Sequence, residues 1–236
     1  MENDAGMLTL ALDTTTRRGS VAVLRGDAVL SLVHGDAART HGERLPGELD
    51  EALRRAGVAP ADVQLLVVGA GPGAFTGLRI GLAAVQGLAM VTGARAIGVS
   101  ALDALALAAR AQHGDPAAPI DAWMDAQRGE VYAARYVAAA TTADPIVLPV
   151  HQLLDELRGA SDVPRLFIGD GAVQHRDAIA RTFVTARVLE PPDALAPFLA
   201  TLGQRFAARG EAGPPHALQP LYVRRPDAEL ARAKTG

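Results

Sequence analysis

Cysteine is absent from this 236-residue chain, which excludes disulfides, thiolate nucleophiles and cysteine-ligated zinc or iron–sulfur centres and suits a reducing compartment. Aromatic residues are only 4% of the total although hydrophobic residues reach 49%. The second figure excludes a disordered chain, and the first predicts a core packed from small aliphatic side chains. Positive charge is not in excess either: 23 Lys and Arg stand against 26 Asp and Glu, a formal net charge of -3. The chain therefore lacks the counterion-displacing surface of an autonomous nucleic-acid binder and is not expected to grip RNA alone. The first residues carry Glu2 and Asp4 and no basic segment, unlike a secretory signal. The longest nearly chargeless stretch, 63–92, is interrupted by Gly71, Pro72, Gly73 and Arg79, so no membrane span is expected. These absences together predict a cytoplasmic protein. No serine sits in a nucleophile-elbow pattern and no His-Glu-x-x-His occurs, which leaves standard hydrolase chemistry without machinery. The lack of a short fixed repeat excludes solenoids.

Residues 7–12 (MLTLAL) and 19–24 (GSVAVL) are short apolar runs joined by the polar segment 13–18, the pattern of a hairpin. A third strand, 27–33 (DAVLSLV), follows a turn at Gly26 and Asp27. Over 42–56, Leu45, Leu49, Ala52, Leu53 and Ala56 recur at steps of three and four, predicting an amphipathic helix that Gly57 ends. The uninterrupted run 63–69 (VQLLVVG) predicts a strand covered on both faces. A loop at 70–75, a helix over 76–92, a strand over 95–99 and a helix opening at Ser100, with Asp103 in its first turn, follow. This βββαβα order, with a parallel extension of the hairpin sheet, is that of the ribonuclease-H-like half of an actin/Hsp70-type fold. Past a joint at 113–119 (HGDPAAP), a hairpin of 120–125 and 130–137 around Gln127, Arg128 and Gly129, then a strand at 165–169, predict a smaller second α/β unit. The expected architecture is α/β, an actin/Hsp70-like (ribonuclease-H-like) two-domain fold with mixed sheets. Its parts are an N-terminal domain, 1–112, a smaller domain, 113–194, and 195–236, a closing helix over 195–208 with a Pro-rich tail that packs back on the first domain.

The densest motif is 71–81 (GPGAFTGLRIG), at a strand-to-helix junction. Glycines there let backbone amides approach an anion at a helix N-terminus, which makes Gly71, Gly73 and Thr76 candidate phosphate-binding residues. The same glycines serve equally well as a tight turn, and no Gly-Lys-Ser/Thr follows as in a Walker loop. Asp13 and Thr14, in the first hairpin turn, are their counterparts: a carboxylate and hydroxyls can hold a metal–phosphate group or can bond their own backbone. His41 and Glu43 lie two apart and so point to different faces of a helix, which fits a helix-end role better than a shared metal. His34 and His113 read as loop residues, and no metal site is expected. From 80 to 92 there is no charged residue, and a helix apolar all round must be covered all round. It is too short for a bilayer, so one face lies on the sheet and the other under more of the chain or under a partner. Gly77, Leu78, Ile80, Gly81, Ala84, Val85 and Leu88 are the candidate partner interface, with help from Leu45 and Leu49 of the preceding helix. An ordinary buried helix beneath the second domain would carry the same pattern.

These stretches resemble the TsaB family, the bacterial dimerisation subunit of the machinery that makes threonylcarbamoyladenosine in tRNA. The likeness runs through 10–24 (LALDTTTRRGSVAVL), 41–45 (HGERL), 71–81, 98–105 (GVSALDAL), 125–132 (DAQRGEVY) and 220–224 (PLYVR). Gly42 and Ala74 stand where the family commonly has serine. The catalytic relative, TsaD, carries a metal-binding His-x-x-x-His whose two positions correspond to Ala101 and Leu105. A methyl and an isobutyl group cannot ligate a metal, so the resemblance implies a non-catalytic subunit and gives no support to a glycoprotease. It further implies TsaD as heterodimer partner, docked through helices of the N-terminal domain, and TsaE as an ATPase that joins the pair. Self-pairing of the isolated chain, tRNA reached only through other subunits, no membrane and no resident cofactor complete the expectation, with the TsaD interface as the place where ATP or ADP would sit. The competing reading is a nucleotide-dependent enzyme of actin-like fold, an ATPase or metal-dependent peptidase, using Asp13 and the 71–77 loop. A self-contained homodimeric binding protein is a third.

Overall fold

The structure, a computed structural model, describes residues 6–115, 117–137, 140–141, 144–158 and 165–224. Glu2, Asp4 and the tail beyond Arg224 lie outside the described residues. In chain order the elements are β1 (Leu8–Asp13), β2 (Ser20–Arg25), β3 (Ala28–His34), α1 (His41–Ala56), β4 (Leu65–Gly71), α2 (Phe75–Thr92), β5 (Arg95–Ser100), α3 (Ala101–His113), β6 (Ile120–Asp125), β7 (Glu130–Val137), β8 (Ala140–Thr141), β9 (Ile146–Pro149), α4 (Val150–Arg158), β10 (Leu166–Ile168), α5 (Asp170–Gln174), α6 (Arg176–Thr182), β11 (Arg187–Leu189) and α7 (Ala196–Ala208). They fall into two compact units. Among the described residues, one holds the chain up to Ala104 together with Asp193–Leu221, the other holds Leu105–Pro192 and 222–224, and the division falls inside α3.

The first unit is a five-stranded mixed sheet in the order β3-β2-β1-β4-β5, antiparallel through β3, β2 and β1 and parallel from β1 to β4 to β5. Both of its faces are covered, which is why β1 and β4 are buried along their whole length. Leu8, Leu10, Leu12, Val21, Val23, Leu66 and Val68 pack with α1 and α2 in one cluster. On the other face α7 comes close enough that a Cβ on Gly203 would lie 2.5 Å from Val67 Cγ2. There Gln204 Nε2 donates to Thr9 Oγ1 (3.0 Å) and the Ala196 amide to Ser20 Oγ (3.1 Å). Helix α1 begins after Thr40, whose amide and hydroxyl donate to Glu43 Oε2 at 2.8 and 2.7 Å. These bonds hold the Glu43 carboxyl below its ordinary value and give it the helix-end role expected of it. Gly57, at φ 66°, closes α1 in the left-handed conformation.

The second unit has its own mixed sheet in the order β11-β10-β6-β7-β8, with β9 also paired to β7. Its core is built on Trp123 and Phe167, edge to face with centroids 5.1 Å apart, and Phe183 stacked on Phe167 at 6.1 Å. Asp121 is buried between Arg135 (3.0 Å) and Arg165 (3.5 Å). Burial drives its carboxyl above the ordinary value even though both guanidinium groups pull the other way. Arg224, from the PLYVR stretch, donates to the Ala126 carbonyl at 2.9 Å and pairs with Glu130, pinning the turn of the DAQRGEVY hairpin.

Candidate functional site

Helix α2 rests on the end of β1 through its glycines. A Cβ on Gly77 would lie 2.4 Å from the Thr14 carbonyl oxygen, and one on Gly81 would lie 2.2 Å from Thr14 Oγ1, so only glycine permits this approach. Leu78, Leu82, Val85 and Ala89 continue the same inward face, and Leu45 of α1 is buried beside them. Gly77, Leu78, Gly81, Val85 and Leu45 are thus used up inside the unit, which corrects their placement on a partner-facing surface. The small residues admit the chain's own first hairpin turn, so the chain itself is what covers them.

The outward face of α2 is a different set. Ile80, Ala84 and Leu88, with Leu49 of α1, are half-buried along the seam of the two helices, and a Cβ on Gly42 would lie 3.7 Å from Ile80 Cδ1. Beyond the seam Ala83 and Gly87 are exposed, and Met90 and Val91 are 79% and 87% exposed. Phe75 is also exposed, with the Arg79 guanidinium 3.7 Å above its ring. Gly47 of α1 and Gly87 of α2 face open space. A glycine inside a helix costs about 0.5–1 kcal/mol relative to alanine, and no contact among the described residues calls for either. Ala83, Gly87, Met90 and Val91 lie within the uncharged run 80–92 but outside the candidate interface set read from the sequence. The signal that finds them is the 3.6-residue period once Gly77, Gly81 and Val85 are set inward. By length and composition α2 is the one helix among the described residues that reaches the requirement for a bilayer span, but a third of it is buried in the core.

The candidate phosphate residues come together only in part. Asp13 is buried and its carboxylate accepts from the Thr15 amide (2.7 Å), the Thr15 hydroxyl (2.6 Å) and the Thr16 hydroxyl. It therefore serves the turn that follows it. Thr14 is fully buried beneath Gly81, its hydroxyl without a hydrogen-bond partner among the described residues. The Gly71–Gly73 loop reaches the same turn, but a Cβ on Gly73 would stand 2.8 Å from the Thr15 carbonyl oxygen. Gly71 is closed over by Leu221, whose amide donates to the Ala70 carbonyl at 2.7 Å. Thr76 is exposed in the first turn of α2. The two segments touch one another directly, and the Asp13 carboxylate that would hold a metal–phosphate group is bonded within the chain.

Beside them lies a buried polar set of which the sequence reading had only His41. Arg44 is only 4% exposed; its Nη1 binds both Glu48 oxygens (2.6 and 2.8 Å) and its Nη2 lies 2.6 Å from His41 Nδ1. A guanidinium only donates, so Nδ1 accepts and the imidazole is neutral with its proton on Nε2. Burial, then the Arg44 charge, lowers the His41 pKa against opposing contributions from Asp13, the Thr16 backbone and Glu48. The i, i+4 spacing of Arg44 and Glu48 on the apolar side of α1 was the available sign.

At the positions where TsaD carries its two histidines by the resemblance, Ala101 and Leu105 are buried core residues. A family model described as TsaD: tRNA N6-adenosine threonylcarbamoyltransferase matches residues 33–188. The tRNA threonylcarbamoyladenosine biosynthesis protein TsaB of Bacillus subtilis is 30% identical over 94% of this chain and 96% of its own. YeaZ from Pseudomonas aeruginosa superposes with a TM-score of 0.72 at 29% identity, over 92% of this chain and 99% of that one. Component A of the (R)-2-hydroxyglutaryl-CoA dehydratase of Acidaminococcus fermentans, at TM-score 0.53, 13% identity and 86% and 100% coverage, shares the fold alone. The two mixed sheets and these neighbours make the architecture an actin-like two-domain fold, and sequence and structure together place the chain in the TsaB family, within the wider group that the TsaD model describes.

Proposed function

We propose that this chain works in the biosynthesis of threonylcarbamoyladenosine in tRNA as the non-catalytic subunit that binds and activates a TsaD-type transferase. The role in this pathway follows from membership of the TsaB family. The scaffold role is carried by one observation: α2 turns Met90 and Val91, together with Ala83 and Gly87, to solvent with no covering element among the described residues. An exposed apolar helix face of this kind marks an interaction surface, and open-space glycines on it let a partner backbone come close. Ile80, Ala84, Leu88 and Leu49 would form the seam of that interface. Association with TsaE, tRNA contact through other subunits, a cytoplasmic location and self-pairing of the isolated chain through the same face belong to this reading, as does ATP or ADP at the TsaD interface.

The test is a pull-down with a TsaD-type transferase followed by a tRNA modification assay with and without this chain. Co-purification and dependence of modification on the chain are expected; modification proceeding equally well without it overturns the scaffold role. A nucleotide-dependent enzyme using Asp13 and the 71–77 loop is less well supported, because the Asp13 carboxylate is already bonded by Thr15 and Thr16. Calorimetry with ATP and magnesium on the isolated chain separates the two readings: silence supports the scaffold, and micromolar binding with turnover supports the enzyme.

A further inference from the structure

We propose that His41 and Arg44 form a proton-sensitive latch that fastens the β1–β2 turn to the start of α1, closed while the imidazole is neutral and opened by one proton on Nδ1. The latch touches the turn at several points. The Arg44 Nη2 reaches toward the Arg17 carbonyl (3.5 Å) as well as to His41 Nδ1, and the Thr16 backbone is among the groups that act on the His41 ring. Gly19, at φ 66°, makes room for both groups: a Cβ there would lie 3.0 Å from Arg44 Nη2 and 3.0 Å from His41 Cε1. Gly35, just past β3, makes room for the other guanidinium nitrogen, since its Cβ would lie 1.8 Å from Arg44 Nη1. Two glycines far apart in the chain therefore wall a slot shaped to a guanidinium.

Protonation upsets this arrangement in a defined way. The added proton occupies the Nδ1 lone pair that now accepts from Arg44, leaving two donors face to face at 2.6 Å. The groups facing the ring are Arg44 and Glu48 from α1, Asp13 and the Thr16 backbone from the end of β1 and its turn, and Gly77 from α2. Asp13 and Glu48 favour the imidazolium, but both carboxylates are already engaged, Asp13 by Thr15 and Thr16 and Glu48 by Arg44. Arg44 is held between Glu48, Gly19 and Gly35 and has no room to retreat. His41 is half-buried at the first residue of a helix, so the imidazolium is the group that leaves. The lowered pKa agrees with this direction. Nothing in the latch depends on the partner assignment.

Nuclear magnetic resonance on the whole chain tests it. His41 ring shifts give the titration midpoint. The amides of Gly19, which donates to Thr16 Oγ1, and Gly35, which donates to the Gly19 carbonyl, report on the turn. We expect all three to move together with one midpoint below the ordinary imidazole value of 6.5. In His41→Asn, which keeps an acceptor near the Nδ1 position but cannot titrate, Gly19 and Gly35 should be flat between pH 5 and 8. A His41 midpoint at or above the ordinary value overturns the proposal, as do glycine amides that ignore the His41 titration or that titrate unchanged in the variant. If the variant does not fold, the agreement or disagreement of the three wild-type midpoints decides alone.

Discussion

Gly81 and Thr14 are in direct contact, so close that a Cβ on the glycine would fall 2.2 Å from the threonine hydroxyl oxygen. Overfilling a packed site costs about 1–3 kcal/mol. Gly81→Ala is therefore expected to lower the Tm in calorimetry, and Gly81→Arg to prevent folding. Neither substitution reports on partner binding, and an unchanged Tm in Gly81→Ala would contradict the packing of α2 on the first hairpin turn.

Substitutions on the outward face separate folding from docking. Met90→Glu alters a side chain that touches little of its own chain, so stability should stay within about 0.5 kcal/mol of the parent, and Gly87→Glu, at an open-space helical glycine, should be no less stable than the parent. Association with a TsaD-type transferase should weaken at least tenfold, about 1.4 kcal/mol, in titration calorimetry. Ala84→Glu, on the seam, should weaken binding as well but with some loss of stability. Equal affinity in all three variants would move the docking surface elsewhere on the molecule.

Asp121 is the shared counter-charge of Arg135 and Arg165 in the second unit. Removing one partner of a buried ion pair leaves the other uncompensated, at a cost of about 3–5 kcal/mol. Asp121→Ala should show a loss of that order in urea denaturation. A loss below about 1 kcal/mol, the range of an exposed pair, would mean that the arginines find other acceptors.

The His41 imidazole predicts a direction for stability against pH. Its folded pKa is lowered, so the unfolded chain binds the proton first and the unfolded state gains as pH falls. The His41 contribution is fully present above the unfolded value near 6.5. It is lost progressively as pH drops from there toward the lowered folded value. Chemical denaturation from pH 8 to 5, with His41→Asn as reference, should show this extra slope in the parent chain only.

The first unit was legible in the sequence because each element repeats one period cleanly. The run 65–68 has no polar break, α1 alternates apolar and charged residues at helical steps, and Gly57 marks its end. The β6–β7 hairpin was equally plain, with the observed strands matching 120–125 and 130–137. Elements α4, α5, α6, β8, β9 and β11 were not, because each is short and gains its stability from the sheet it joins. The three residues of β11 are held by pairing with β10, a partner that local pattern cannot reveal. In the candidate site the family motifs were readable, but the rotation of α2 was not. A helix without charge from 80 to 92 carries no charged stripe to mark its outside there, and only the distant Thr14 sets which glycines point inward. The Arg44 network was hidden for a related reason: a charged pair on a helix normally reads as solvent-facing, and the slot that Gly19 and Gly35 leave for it exists only after folding.

The first unit is assembled from two stretches of chain separated by the whole of Leu105–Pro192. Helix α7 covers the sheet face formed by β1, β2 and β4, yet it is synthesised about ninety residues after α3 begins. On the ribosome the five strands can therefore pair while Ala11, Ala22 and Val67 still lie bare, and the intervening residues have time to complete their own sheet first. Nascent chains of this protein should consequently pass through a stage that is sticky on one side, when chaperone contact is most useful, and that ends only when Ala196–Ala208 leaves the exit tunnel.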